Sequence, residues 1–141
     1  MNSKTVELFQ VKGFSMWPFL KSGQKILVKK SGGQDLRKGD LVLYRADGQL
    51  VCHRLLRKEN INNRWVLYCR GDTSLSKSEP INEKALEGKV TAIIFADKAL
   101  DLRTPLARLW ALIILFVLAP VSAFLNTLYL RIRSILILKG S

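Results

Sequence analysis

The chain has 141 residues and a mass of 16.0 kDa, which leaves room for one compact domain and excludes a two-domain enzyme with two full cores. Lys+Arg 23 against Asp+Glu 11 give a net charge of +12, yet 48% of the residues are apolar, so the apolar excess must be concentrated in one segment. The charge divides as 19 basic minus 11 acidic, or +8, over residues 1–104, and four basic with no acidic, or +4, over 105–141.

From the N-terminus, residues 1–10 are polar and lack the apolar run of a secretory signal. Nothing there carries residues 1–104 across a membrane, which taken alone favours a cytosolic catalytic face. Next comes Gly13-Phe14-Ser15-Met16-Trp17-Pro18-Phe19-Leu20, a serine set between a glycine and an apolar cluster, just ahead of a proline that disfavours helix at the residue before it. A hydroxyl on such an extended turn is open to a substrate; it is equally a common turn former. Short β-like runs follow at 25–30, 41–45, 50–57, 64–70 and 89–95. They are separated by Ser31-Gly32-Gly33, Asp47-Gly48 and residues 60–63, all rich in residues that tolerate turn geometry. The pattern predicts a mainly β fold over residues 1–104, compact and antiparallel.

If 50–57 and 64–70 form a hairpin closed by 58–63, partners whose numbers sum to 121 stand opposite each other. Cys52 then faces Cys69, with His53 and Tyr68 on the other side of the sheet. That spacing suits either a cross-strand disulfide or two small apolar side chains meeting in a core. Two Cys and one His without finger-type spacing argue against a metal site, and no cofactor is expected.

Residues 105–141 are expected to form a membrane anchor. Residues 109–130 are 22 consecutive uncharged positions, 18 of them apolar, and as a helix they extend about 33 Å, enough for the ~30 Å core of a bilayer. Pro120 would kink this transmembrane helix, while Trp110 and Tyr129 would sit at the headgroup level on either side. Arg131, Arg133 and Lys139 balance Lys98, Arg103 and Arg108, so the positive-inside rule leaves the side of the catalytic domain unresolved. The expected location is a membrane, crossed once by the C-terminal helix.

Five segments point jointly to a chemistry. Gly13 to Leu20, then Lys38-Gly39-Asp40-Leu41-Val42-Leu43-Tyr44, Val51-Cys52-His53-Arg54-Leu55, Arg70-Gly71-Asp72 and Gly88-Lys89-Val90 occur in an order and spacing that resembles the type I signal peptidase superfamily of serine peptidases. The resemblance covers about residues 11–95 and is nearest to the Ser-His branch, as in archaeal and endoplasmic-reticulum-type signal peptidases. It implies a compact β domain of signal-peptidase and repressor-cleavage type, with Ser15 as nucleophile, His53 as general base and Asp72 orienting or charge-stabilising the histidine. Ser15 would supply its own backbone N–H as oxyanion donor. A serine hydroxyl is a poor nucleophile until a neighbouring base takes its proton, and the same base can later protonate the leaving amine.

Three features depart from that pattern. Gly13 has no side chain where many bacterial members carry a hydroxyl two places before the nucleophile. The assumed hairpin register sets Asp72 on the same face as His53 but two pairs further along, roughly 13 Å at ~3.3 Å per residue, a gap that a bend at Gly71 would have to close. The apolar span follows the domain, whereas in the family it usually precedes it. Phe14, Trp17, Phe19 and Leu20 around the serine suit a lip that meets membrane and substrate, or a piece of core. The resemblance implies a membrane-anchored serine endopeptidase that cleaves signal or leader peptides, its partners a peptide or protein substrate with a hydrophobic segment and the lipid bilayer. Two other readings are a catalytically degenerate β module that binds a peptide or membrane partner, and a cytosolic-face protease that matures a ribosomal peptide. No stacked-aromatic or helix-turn-helix pattern supports a nucleic-acid partner.

Overall fold

Alternating apolar and polar side chains turn Ile26 and Val28 inward from a short strand, β2 (Lys25–Lys29), and the same period-2 logic builds most of the molecule. The computed structural model describes residues 5–13, 15–17, 19–74, 77–96, 98–113 and 116–117. Around β2 stand β1 (Val6–Gln10), β3 (Leu41–Ala46), β4 (Gln49–Ile61), β5 (Arg64–Arg70), β6 (Glu79–Asn82), β7 (Leu86–Phe95) and β8 (Lys98–Asp101), followed by the helix α1 (Pro105–Ile113). All strand pairs are antiparallel, in the order β1-β2-β7-β3-β4-β5-β6, with β8 on β7. The expected mainly β, antiparallel architecture is therefore what the chain adopts.

Strand β3 organises the interior. Leu41, Val42, Leu43 and Tyr44 are all buried, so both faces of this strand are covered. Leu41 and Leu43 join Ile26, Val28, Cys52, Val90 and Ile93 in one apolar cluster, closed by Met16 and Leu20 from the loop that carries Ser15. Val42 and Tyr44 join Leu36, Leu55, Leu67, Cys69 and Ile81 in the other. Burying such side chains supplies most of the driving force for folding.

Three strands are missing from the sequence reading: β1, β6 and β8, four or five residues each and mostly exposed. Without a buried face they carry no alternating apolar signal. The hairpin register also differs. Strand β4 runs to Ile61, and the turn is Asn62-Asn63 alone, with φ of 51° and 60°, the positive φ at both centres that a type I′ turn requires. Pairs near the turn sum to 125, as in Ile61 with Arg64. An extra residue, Leu56, bulges out, and beyond it Leu55 with Cys69 and Arg54 with Arg70 sum to 124.

The cysteines are accordingly not opposite each other. Cys52 faces Leu43 and Cys69 faces Leu55; both thiols are free and buried, in different clusters. Neither the disulfide nor the shared core contact forms, and burial pushes each thiol up to about 12.

Helix α1 begins at Pro105, a residue preset for the first helical position. Thr104 caps it by accepting from the Ala107 N–H at 3.2 Å. Among the described residues no helix is long and apolar enough to cross a membrane. The greater part of the expected 109–130 span, Pro120 and Tyr129 included, lies outside the described residues.

Candidate active site

Residues 11–24 connect β1 to β2 and carry Ser15. The base of this loop is closed by Val11 N–H to the Gln24 carbonyl and Gly23 N–H to the Val11 carbonyl, each 2.8 Å. Gly13 stands at φ +91°, a conformation that an L side chain rarely adopts. The turn from Met16 to Leu20 closes with a 2.8 Å backbone bond, and both of those side chains are inserted in the core. Ser15, immediately before this plug, is exposed. Among the described residues its Oγ and its N–H have no hydrogen-bond partner.

The Ser15 carbonyl, by contrast, is held. It accepts from the N–H and the Oγ1 of Thr73, each at 3.1 Å. Gly71 lies so close beneath the serine that a Cβ there would meet the Ser15 carbonyl oxygen at 2.6 Å and the Ser15 Cβ at 2.9 Å. The glycine is therefore required by close approach, beyond any need for a bend.

Asp72, between these two, binds Arg54. The guanidinium donates from Nε to Oδ1 at 2.8 Å and from Nη2 to Oδ2 at 2.7 Å, a bidentate pair with Arg54 1% and Asp72 6% exposed. Nη1 of the same arginine donates to the Gly39 carbonyl at 3.0 Å, and Phe19 of the serine loop rests over the guanidinium with its ring centre 5.0 Å away. Arg54 and Asp72 thus pin the 71–73 segment that grips Ser15 on one side and the loop's Phe19 on the other.

His53 lies on the opposite face of β4 from Arg54, half-buried. Its Nδ1 is 2.8 Å from the Tyr44 hydroxyl, the two rings meeting edge to face at 62° with centres 5.8 Å apart. Burial lowers the His53 pKa below its ordinary value, opposed by the charges of Asp72 and Glu79. Burial likewise raises the Tyr44 phenol to about 12, so it stays neutral. Arg54 with Arg70 is the last paired rung of β4 and β5, and one step beyond it on the two strands stand His53 and Gly71. Gly71 is the residue on which Ser15 rests, so Ser15 and His53 both neighbour the point, midway along β4, where its pairing with β5 ends.

Two roles are thereby redistributed. The assumed register set Asp72 on the face of His53. The true sum of 124 differs by three, an odd number, so Asp72 turns to the face of Arg54. Its charge still reaches the imidazole, but its hydrogen bonds go to the guanidinium. Tyr44, treated in sequence only as part of a strand, is the group that contacts His53. The signal was present: a tight turn at Asp47-Gly48 pairs residues whose numbers sum to 95, so that Tyr44 and His53 share a face as diagonal neighbours.

A groove of about 650 Å³ opens beside Ser15, lined by Phe9 and Val11 on one bank and Leu43, Leu50 and Cys52 on the other. Strand β1 borders it and, among the described residues, is paired only with β2. Of the apolar residues around the serine, Leu20 is core, Phe19 is half-buried and Trp17 is exposed; Phe14 lies outside the described residues.

The protein family described as Peptidase S24-like matches residues 1–68, a stretch that takes in Ser15 and His53 and ends before Gly71 and Asp72. The match and the antiparallel β architecture support a serine-peptidase-type fold, of the superfamily that includes self-cleaving repressors and type I signal peptidases. The match points to a serine peptidase or hydrolase and does not select a branch of the superfamily. No curated protein matches the chain.

Proposed function

We propose that the protein is a membrane-associated serine endopeptidase that cleaves signal or leader peptides with Ser15 as nucleophile and His53 as general base. The observation that carries this reading is the placement of Ser15. It is exposed at the edge of an apolar groove, with a free hydroxyl and N–H among the described residues, on a backbone clamped to Gly71 and Thr73. A substrate segment with apolar side chains fits the groove, and the edge of β1 that no described strand pairs offers backbone groups for an extended peptide.

In the reaction, His53 Nε2 takes the proton from Ser15 Oγ as Oγ attacks the scissile carbonyl carbon, and the carbonyl π pair moves to oxygen. The Ser15 N–H stabilises that oxyanion. Collapse expels the amine, which receives the proton from Nε2. Water then repeats the sequence on the acyl-enzyme.

Ser15→Ala and His53→Ala are each expected to lower cleavage of a leader peptide by at least about 100-fold with an unchanged circular-dichroism melt. Wild-type turnover in either variant removes the dyad. A protein that binds the peptide tightly but never cuts it, with or without these residues, is instead a peptide-binding module.

A further inference from the structure

We infer that Tyr44 is the positioning residue for His53, filling with a neutral phenol the place where a carboxylate would hold the ring in a Ser-His-Asp triad; this rests on the reading of His53 as the base. Three observations converge on it. The Tyr44 hydroxyl lies 2.8 Å from Nδ1; the edge-to-face packing of the two rings fixes the imidazole plane; and the two oxygens of Asp72, the carboxylate otherwise in line for the task, are both occupied by Arg54.

The proton arrangement follows from valence. A neutral imidazole carries one ring proton, and Nε2 can accept from Ser15 only when that proton is on Nδ1. Nδ1–H then donates to the Tyr44 oxygen, and the phenol keeps its own proton. When Nε2 has taken the Ser15 proton the ring is a cation with N–H at both positions, and the Nδ1–H bond to Tyr44 persists through the step. Were the phenol instead to donate to Nδ1, the ring proton would sit on Nε2 and His53 could not act as base. Tyr44 therefore sets the tautomer as well as the angle of the ring.

A phenol offers a dipole where a carboxylate offers a full charge. The ionisable groups acting on His53 are Tyr44 from β3, Asp72 from the segment after β5 and Glu79 from β6, with Asp72 largely neutralised by Arg54. Cys52 and Cys69, whose thiols act on Tyr44, are neutral at working pH. With burial outweighing the two acids, half-protonation of the base falls below its ordinary 6.5, and activity persists further into mild acid than a carboxylate-backed histidine would allow.

The chain has one histidine, so nitrogen NMR of labelled full-length protein reads His53 without ambiguity. The expected result is a neutral ring protonated at Nδ1. In Tyr44→Phe that preference is lost, kcat falls about tenfold or more with KM nearly unchanged, and the acid limb of the pH profile moves lower, because the imidazolium loses an acceptor. A wild-type ring protonated at Nε2, or a Tyr44→Phe enzyme with the wild-type plateau and acid limb, overturns the inference. The wild-type tautomer can be read whether or not the variant folds. An Nδ1–H ring in a protein that cleaves no leader peptide upholds the pairing of Tyr44 with His53 while removing the peptidase reading.

Discussion

Asp72 and Arg54 show how much one buried ion pair organises. A guanidinium 1% exposed is tolerable only because two carboxylate oxygens and the Gly39 carbonyl satisfy its donors. Removing one partner leaves a charge stranded in the interior, whereas removing both leaves only a packing defect. Asp72→Asn is therefore expected to destabilise the protein by about 3 kcal/mol, seen as a lower urea midpoint. The double change Asp72→Asn with Arg54→Met should recover most of that loss. Since the same pair pins the segment that grips the Ser15 carbonyl, the single variant should also lose kcat. An unchanged midpoint in Asp72→Asn would show that the pair does not hold the fold. The motif residues were legible in the sequence, but the partnership of Arg54 with Asp72 was not, because only the true register decides which face each occupies.

At the scale of elements, the β4–β5 hairpin sets that register. Its two turn residues, Asn62 and Asn63, stand at positive φ, which asparagine tolerates and a β-branched residue does not. Asn63→Val is expected to cost about 1–2 kcal/mol, read as a lower thermal midpoint. Asn63→Gly should leave the midpoint unchanged or raise it slightly. Equal midpoints for the valine and glycine variants would mean that the turn does not hold the register. The strands with a buried face, β2, β3, β4, β5 and β7, were visible as apolar runs, since a half-buried strand writes its period into the sequence. Edge strands write none, and a bulge such as Leu56 leaves no local composition signal. The Asn-Asn turn was obscured by a longer polar stretch, residues 58–63, which reads equally well as an open loop. The Asp47-Gly48 turn, equally short but outside any such polar stretch, carries its register plainly, and with it the meeting of Tyr44 and His53.

For the whole molecule, charge and apolar surface lie together at the C-terminal side. Helix α1 turns its small residues, Ala107 and Ala111, inward and leaves Leu106, Leu109, Trp110 and Leu112 exposed, with Phe116 and Val117 exposed beyond it. Large side chains outside and alanines inside is the reverse of what a helix resting on a domain in water prefers. Lys38 lies over the Phe116 ring at 4.8 Å. Arg37, Lys38 and Arg108 line a groove of about 240 Å³ between the helix and the strand ends, within a domain that carries +8 over residues 1–104. Cations beside exposed aromatic and aliphatic groups favour the interface of an anionic bilayer, consistent with the proposed meeting of enzyme and leader peptide there. The full chain is expected to sediment with vesicles of phosphatidylcholine and phosphatidylglycerol. Surface attraction alone would be released by about 1 M salt, where the Debye length falls to about 3 Å, whereas an inserted segment would hold. Trp110→Ser should weaken an interfacial association while scarcely affecting an inserted one. If the full chain remains in the supernatant at low salt with anionic vesicles, membrane association is lost from the proposal, and the Ser15–His53 chemistry must act on a substrate met in solution.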